Sequence, residues 1–127
     1  MNSLTLQDLM TLEDYDGTRS SFRKAVLAHK KNRQASIGPD VVFCFEDRTT
    51  ILYQVQEMLR VERIFKRAGI QEELDTYNPL IPNGNNWIAT MMIQISDVSM
   101  RREALTCLVG IEGYCWVRIE DPEPVYA

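Results

Sequence analysis

Residues 51–65 read ILYQVQEMLRVERIF, and the fold turns on how this stretch is read. At 100° per residue, Ile51, Leu52, Val55, Met58 and Leu59 fall on one side of a helix, and Glu62 falls at the centre of that same side. The spacing predicts one long amphipathic helix, capped by Thr49 or Thr50 and running to about residue 68, where Gly69 would stop it in the left-handed conformation. Its oily face would turn toward a sheet. A carboxylate buried there without a partner is strongly unfavourable, so Glu62 is expected to be paired, protonated, set at the core margin or used chemically. Lys66, four residues on, offers the simplest pair. An arginine from another element or a metal ion would also satisfy it.

The other side of this helix carries a second stripe, Tyr53, Glu57, Arg60 and Ile64, at i, i+4, i+7 and i+11. A helix with two interactive faces is either sandwiched within the fold or presented to another subunit. Glu57 can pair with Arg60, three residues on, and Glu46 can pair with Arg48. Were Glu46, Arg48, Glu57, Arg60, Glu62 and Tyr77 to converge, they would form a pocket holding both acid and cation. Structural ion-pair networks use the same residue types, so both readings stay open.

Upstream, Ser3 or Thr5 can cap a short opening helix. A longer helix is expected over residues 14–33, with Glu13, Asp14 and Asp16 at the end where the helix dipole favours negative charge. Its inward residues would be Tyr15, Phe22, Ala25, Val26 and His29, and Gly17 would weaken or break its first turn. Residues 36–40, with Gly38-Pro39, form a turn. Residues 41–45 are a continuous apolar run that fits an interior strand covered on both faces. Downstream, a short helix over 70–75 leads into a loop at 78–87, NPLIPNGNNW, whose prolines and Asn-Gly pair exclude regular structure. Loops of that length are often functional. Residues 89–96 alternate as a half-buried strand. Asp97 or Ser99 then caps a helix with Ala104, Leu105 and Leu108 inward, stopped by Gly110, and residues 114–120 alternate as a final strand.

These elements predict an α+β fold, a small and mostly antiparallel sheet with helices packed on it and a long central amphipathic helix. One domain is expected over 1–120, followed by an acidic, proline-containing tail at 121–127. The 127 residues and 45% hydrophobic content suffice for one core without staples.

Composition also excludes several functions. A net charge of −4 and a pI near 5.0 argue against nucleic acid as partner. Arg19, Arg23, Lys24, Lys30, Lys31 and Arg33 gather 6 of the 14 cations, which fits a solvated helix face. No apolar run is long enough to span a membrane and no secretory leader is visible, so a cytoplasmic protein is expected. Cys44, Cys107 and Cys115 have no metal-knuckle or disulfide spacing and read as reduced. His29 is the lone histidine, and neither Glu57 nor Glu62 has a histidine three residues on as di-iron helices do. No nucleophile elbow or phosphate loop occurs. No catalytic residue, cofactor or metal is therefore nominated.

The stretches HKKNR (29–33), FEDR (45–48), YQVQEMLRVERIF (53–65) and EELDTYNPLIP (72–82), with Ala89-Thr90, resemble a bacterial family of unknown function. Members of that family are often encoded beside rubrerythrin-like proteins and an iron–sulfur oxidoreductase of the heterodisulfide-reductase type. The resemblance implies a redox-protein partner and a link to peroxide or iron handling, with no established activity or site residue. It also implies a C-terminal element beyond the point where this sequence stops. The function expected is a small binding or accessory module that docks a protein partner or a second copy through the second helix stripe and the 78–87 loop. The alternative is a small enzyme or ligand-binding protein built on the acid and arginine pocket.

Overall fold

The computed structural model describes residues 3–118 and 124–126, which divide into two compact units, Met1–Ile93 and Gln94–Ala127. The first unit opens with a 3-10 turn at Leu6–Asp8 and continues through helix α1 (Leu12–Lys31), strands β1 (Gln34–Ile37) and β2 (Val41–Phe45), and helices α2 (Arg48–Val61) and α3 (Arg67–Tyr77). A second 3-10 turn at Asn78–Leu80 and strand β3 (Ala89–Ile93) complete it.

The Thr11 side chain caps α1 by accepting from the Asp14 backbone N–H. Glu13 and Asp14 occupy its first turn and His29, Lys30 and Lys31 its last, so both ends complement the dipole. The helix passes through Gly17 unbroken. Strands β1 and β2 form an antiparallel hairpin whose turn places Gly38 at φ 66°, a conformation glycine adopts without strain. β2 is the centre of the sheet, paired antiparallel to β1 on one side and β3 on the other. Only Cys44 of β2 is buried, so the expected cover on both faces is absent: the sheet has three short strands. β1 was not foreseen, and β3 stops at Ile93 with its exposure declining along the strand instead of alternating.

The central helix differs from expectation at both ends. Asp47 is its N-cap. The Asp47 carboxylate accepts from the Thr50 N–H at 2.9 Å and the Thr50 hydroxyl accepts from the Asp47 N–H at 2.9 Å, a reciprocal capping box. At the other end α2 stops at Val61. The Ile64 N–H reaches the Leu59 carbonyl at 2.9 Å and the Arg63 N–H reaches the Arg60 carbonyl at 3.3 Å, the paired bonds of a Schellman motif. Arg63 takes the left-handed position, φ 53°. Gly69 therefore ends nothing. It lies in the first turn of α3, where an added Cβ would sit 2.8 Å from Ile64 Cγ2, so its missing side chain lets the corner close.

The expected inward stripe is real: Ile51, Val55 and Leu59 are buried and Leu52 and Met58 half-buried. It meets helices and chain instead of the sheet. Ile51, Val55 and Leu59 join Leu4, Leu74 and Ile81 in one core, with Leu6, Leu9, Leu12, Ile64, Ile70 and Tyr77 at its edge. The leucine-rich N-terminal segment supplies the apolar partner that the sequence reading had assigned to strands.

In the second unit Asp97 caps α4 (Val98–Cys107) by accepting from Met100. Ala104 and Leu108 are half-buried but Leu105 is exposed. Gly110, φ 85°, leads into a 3-10 turn at Ile111–Tyr114. The expected strand over 114–120 reduces to β4 (Trp116–Val117), paired antiparallel with β5 (Val125–Tyr126). Ile119 and Glu120 lie outside the described residues, as do positions 121–123 and 127 of the tail. Among the described residues no helix is long and apolar enough to cross a membrane.

Candidate functional site: the corner between α2 and α3

The residues nominated from the sequence have separate partners. Glu57 accepts from Arg19 in two-pronged fashion, Nη2 to Oε1 at 2.8 Å and Nε to Oε2 at 3.0 Å, and from the Tyr53 hydroxyl at 3.0 Å. Arg19 is on α1, so this side of α2 is closed by α1. The Phe22 ring stands between those of Tyr15 and Tyr53, with centroids at 6.1 and 5.9 Å, and Lys30 Nζ lies 5.5 Å over the Tyr53 ring. The Tyr53 and Glu57 part of the second stripe is thus covered within the fold, while Arg60 is exposed. Arg19 holds the Glu57 carboxyl below its ordinary range, with burial opposing and Tyr53 assisting.

Glu46 accepts from the Thr50 hydroxyl and from the Thr90 hydroxyl at 2.8 Å. Arg48 pairs with Asp8 at 2.9 Å, and Arg60 lies 3.9 Å from Asp16. Tyr77 packs on the core. Glu62 is the exposed C-cap of α2, which overturns its expected place on the inward face. Its N–H still bonds the Met58 carbonyl at 3.0 Å, so it keeps its angle on the helix, but at this last position the side chain is in solvent. Among the described residues, Glu57–Arg60, Glu46–Arg48 and Glu62–Lys66 make no ion pair within 4.0 Å. Of the nominated set only Tyr53 and Glu57 are hydrogen-bonded to each other, and Arg19 of α1 ties Glu57 into the fold.

Three features escaped the sequence reading. Gln56 is wholly buried; its Oε1 accepts from the Met10 N–H at 2.7 Å and its Nε2 donates to the Met10 carbonyl at 3.4 Å. Asn78 does the same for Leu4, at 2.7 and 3.0 Å. Two side-chain amides thus satisfy backbone groups of the N-terminal segment and pin its leucines on the core. Thirdly, His29 Nε2 lies 2.6 Å from Asp47 Oδ2, and Arg33 Nε lies 3.5 Å from the same oxygen while donating to the Phe45 carbonyl at 2.9 Å. Burial alone would raise the Asp47 carboxyl, but the Thr50 N–H, His29 and Arg33 outweigh it and hold it low. The 29–33 and 45–48 stretches meet here, tying the end of α1 to the start of α2.

Tyr15 is the exception to this satisfaction. It is fully buried; its hydroxyl makes no hydrogen bond within 3.5 Å but lies near the Glu57 carboxylate. Burial, and then the Glu57 charge, push the phenol above its ordinary range.

What stays free is apolar and cationic. Val61 is 66% exposed and Phe65 72%, on either side of the left-handed Arg63. Phe65 lines a cleft of about 280 Å³ with Leu6, Leu9, Leu59, Ile64 and Ile70. An open depression of about 500 Å³, lined by Asp16, Arg60, Val61 and Arg63, shares Leu12 with it. Residues 60–67, RVERIFKR, hold four cations against Glu62 alone. α3 begins after Lys66, with no side-chain cap and no acid in its first turn, so its positive dipole end adds to these cations. A left-handed non-glycine residue costs roughly 1–2 kcal/mol, and here that residue is a cation lining the open depression.

Among the described residues no three His, Cys, Asp or Glu side chains come together as a metal site. Cys44 is buried, Cys115 half-buried and Cys107 exposed, all free. Burial, then Glu46, push the Cys44 thiol up, away from the thiolate that reacts.

These features define a small α+β protein whose polar side chains mostly hold its own helices and whose exposed apolar side chains include Val61 and Phe65 at a helix corner. The chain belongs to the family described as Protein of unknown function (DUF3501), which it matches over residues 3–127. It is similar to a solved structure described as a novel protein of unknown function from Burkholderia pseudomallei K96243, with 49% identity and a TM-score of 0.93 over 98% of this chain and 70% of that one. No curated protein matches it.

Proposed function

We propose that this chain is a small binding or accessory module of the cytoplasm, docking a protein partner or a second copy of itself. The observation that supports this most is the corner, where Val61 and Phe65 stand in solvent beside an apolar cleft while most charged side chains of α2 have partners within the fold. Exposed apolar side chains next to a cleft mark interaction surfaces more often than catalytic ones. The docking surface is the C-terminal end of α2 with Arg60 and Ile64 of the second stripe, since α1 occupies the Tyr53 and Glu57 part. The 78–87 loop is a second docking element, since Trp87 is 62% exposed. The enzyme or ligand-pocket alternative needs Glu46, Arg48, Glu57, Arg60 and Glu62 at one place, and each has its own surroundings.

The partner proposed is a redox protein of the rubrerythrin-like or iron–sulfur type, with a role in oxidative stress, a reading that rests on the family resemblance alone. A photo-crosslinking residue placed at Phe65, at Trp87 and, as control, at the exposed Gln54 of α2 tests the reading in the native host. Adducts at 65 or 87 above the Gln54 background are expected. Equal background at all three positions, with a monomer by light scattering at high concentration, would overturn it.

A further inference from the structure

Resting on that docking reading, we infer that the α2–α3 corner receives an acidic segment of a partner protein, anchored by one apolar side chain. The cleft gives the anchor its place. At about 280 Å³ it lies just below the roughly 300–1,000 Å³ of sites that enclose small molecules, and it suits an aliphatic or aromatic side chain laid against Phe65. Charge gives the segment its sign. Residues 60–67 carry Arg60, Arg63, Lys66 and Arg67 with one acid, whereas the rest of the chain holds ten cations and seventeen acids. Among the described residues, Arg63, Lys66 and Arg67 have no acid within 4.0 Å. The cations are therefore free to meet carboxylates, and complementarity of this kind governs partner choice and encounter rate.

Cleft and cations are also contiguous. Leu12 is common to the apolar cleft and to the depression lined by Arg63 and by Arg60 with its partner Asp16, so a segment whose apolar side chain enters the first brings its neighbouring carboxylates to Arg63, the cation there with no acid of its own among the described residues. Concave apolar shape favours a peptide over a bilayer, which presents a flat face. The acidic character of the rest of the chain disfavours anionic lipid for the same electrostatic reason.

The test is a fluorescence-anisotropy titration of the full chain with three short labelled peptides: one amphipathic of glutamate and leucine, its lysine and leucine counterpart, and a glutamate and serine version. The glutamate and leucine peptide should bind, the other two should not, and binding should weaken as salt is raised. Arg63→Gln should weaken it by about threefold to tenfold, as loss of one charge-assisted contact does, and Phe65→Ser should remove most of it. Arg63→Gly guards against misfolding, because glycine relieves the left-handed backbone; it should lose affinity to the same degree while melting no lower than the parent. Equal binding of the lysine peptide, or no effect of either Arg63 variant, overturns the inference. So does Phe65-dependent binding only to phosphatidylglycerol vesicles, or Phe65-dependent self-association that excludes the peptide. If no peptide binds while crosslinking from position 65 still captures a partner, the acidic segment is refuted and the docking reading stands.

Discussion

Replacing Gln56 with leucine should loosen the N-terminal segment more than any charge removal on α2. The side chain is fully buried and joins Met10 through two bonds of unequal quality, 2.7 Å to the N–H and 3.4 Å to the carbonyl. Leucine is close in volume, so little cavity arises and the loss is almost wholly polar. An unsatisfied buried donor costs about 1–3 kcal/mol, and the long carbonyl bond adds little, which places Gln56→Leu within that range of destabilisation. With a urea slope of about 1–3 kcal/mol/M the midpoint should fall by roughly 1–2 M. Urea melts followed by circular dichroism give the stability, and amide exchange at Met10 gives the local effect, which should be faster relative to the amides of α3. A loss under about 0.5 kcal/mol with unchanged Met10 exchange would refute the reasoning, because the clamp would then contribute nothing to holding Leu4, Leu6 and Leu9 on the core.

Tyr15→Phe should change stability by under about 1 kcal/mol, since its buried hydroxyl lies near Glu57 without a bond within 3.5 Å; a clear drop in melting temperature would mean that hydroxyl is bonded. Glu57→Gln should flatten the acid limb of the stability profile. The folded carboxyl titrates below its ordinary 4.5, so on acidification the unfolded chain binds the proton first, and the contribution is full above about pH 4.5 and fades as pH falls through the folded value. Parallel acid melts of the two proteins check this, and identical limbs would remove Glu57 from the α1–α2 tie.

Periodicity made α2 legible. Ile51, Val55 and Leu59 recur at helical spacing and are the residues that bury. The end of that helix was hidden because its left-handed residue is Arg63, while the nearest glycine, Gly69, has another task six residues on. Helical angle alone placed Glu62 inside, whereas it is the exposed last position of α2. The anomaly on the apolar side was Gln56, four residues after Leu52 and three before Leu59, and the argument applied to Glu62 would have found it. Strand β1, Gln34–Ile37, carries no strand signal and is exposed throughout; pairing with β2 makes it a strand, and pairing is not local information. The Glu57–Arg19 tie was illegible for the same reason, since its halves lie 38 positions apart. The α+β class survived these misses because it needs only the types of element present.

The central claim is that α1 closes the Tyr53 and Glu57 face of α2 and leaves the Phe65 corner as the surface a partner meets. Amide chemical-shift mapping of the 14.7 kDa chain during titration with the glutamate and leucine peptide tests it most directly. Shifts confined to residues 59–70 and the facing leucines of the N-terminal segment are the expected result. Shifts centred on Tyr53, Glu57 and Arg19 with a silent corner would contradict it.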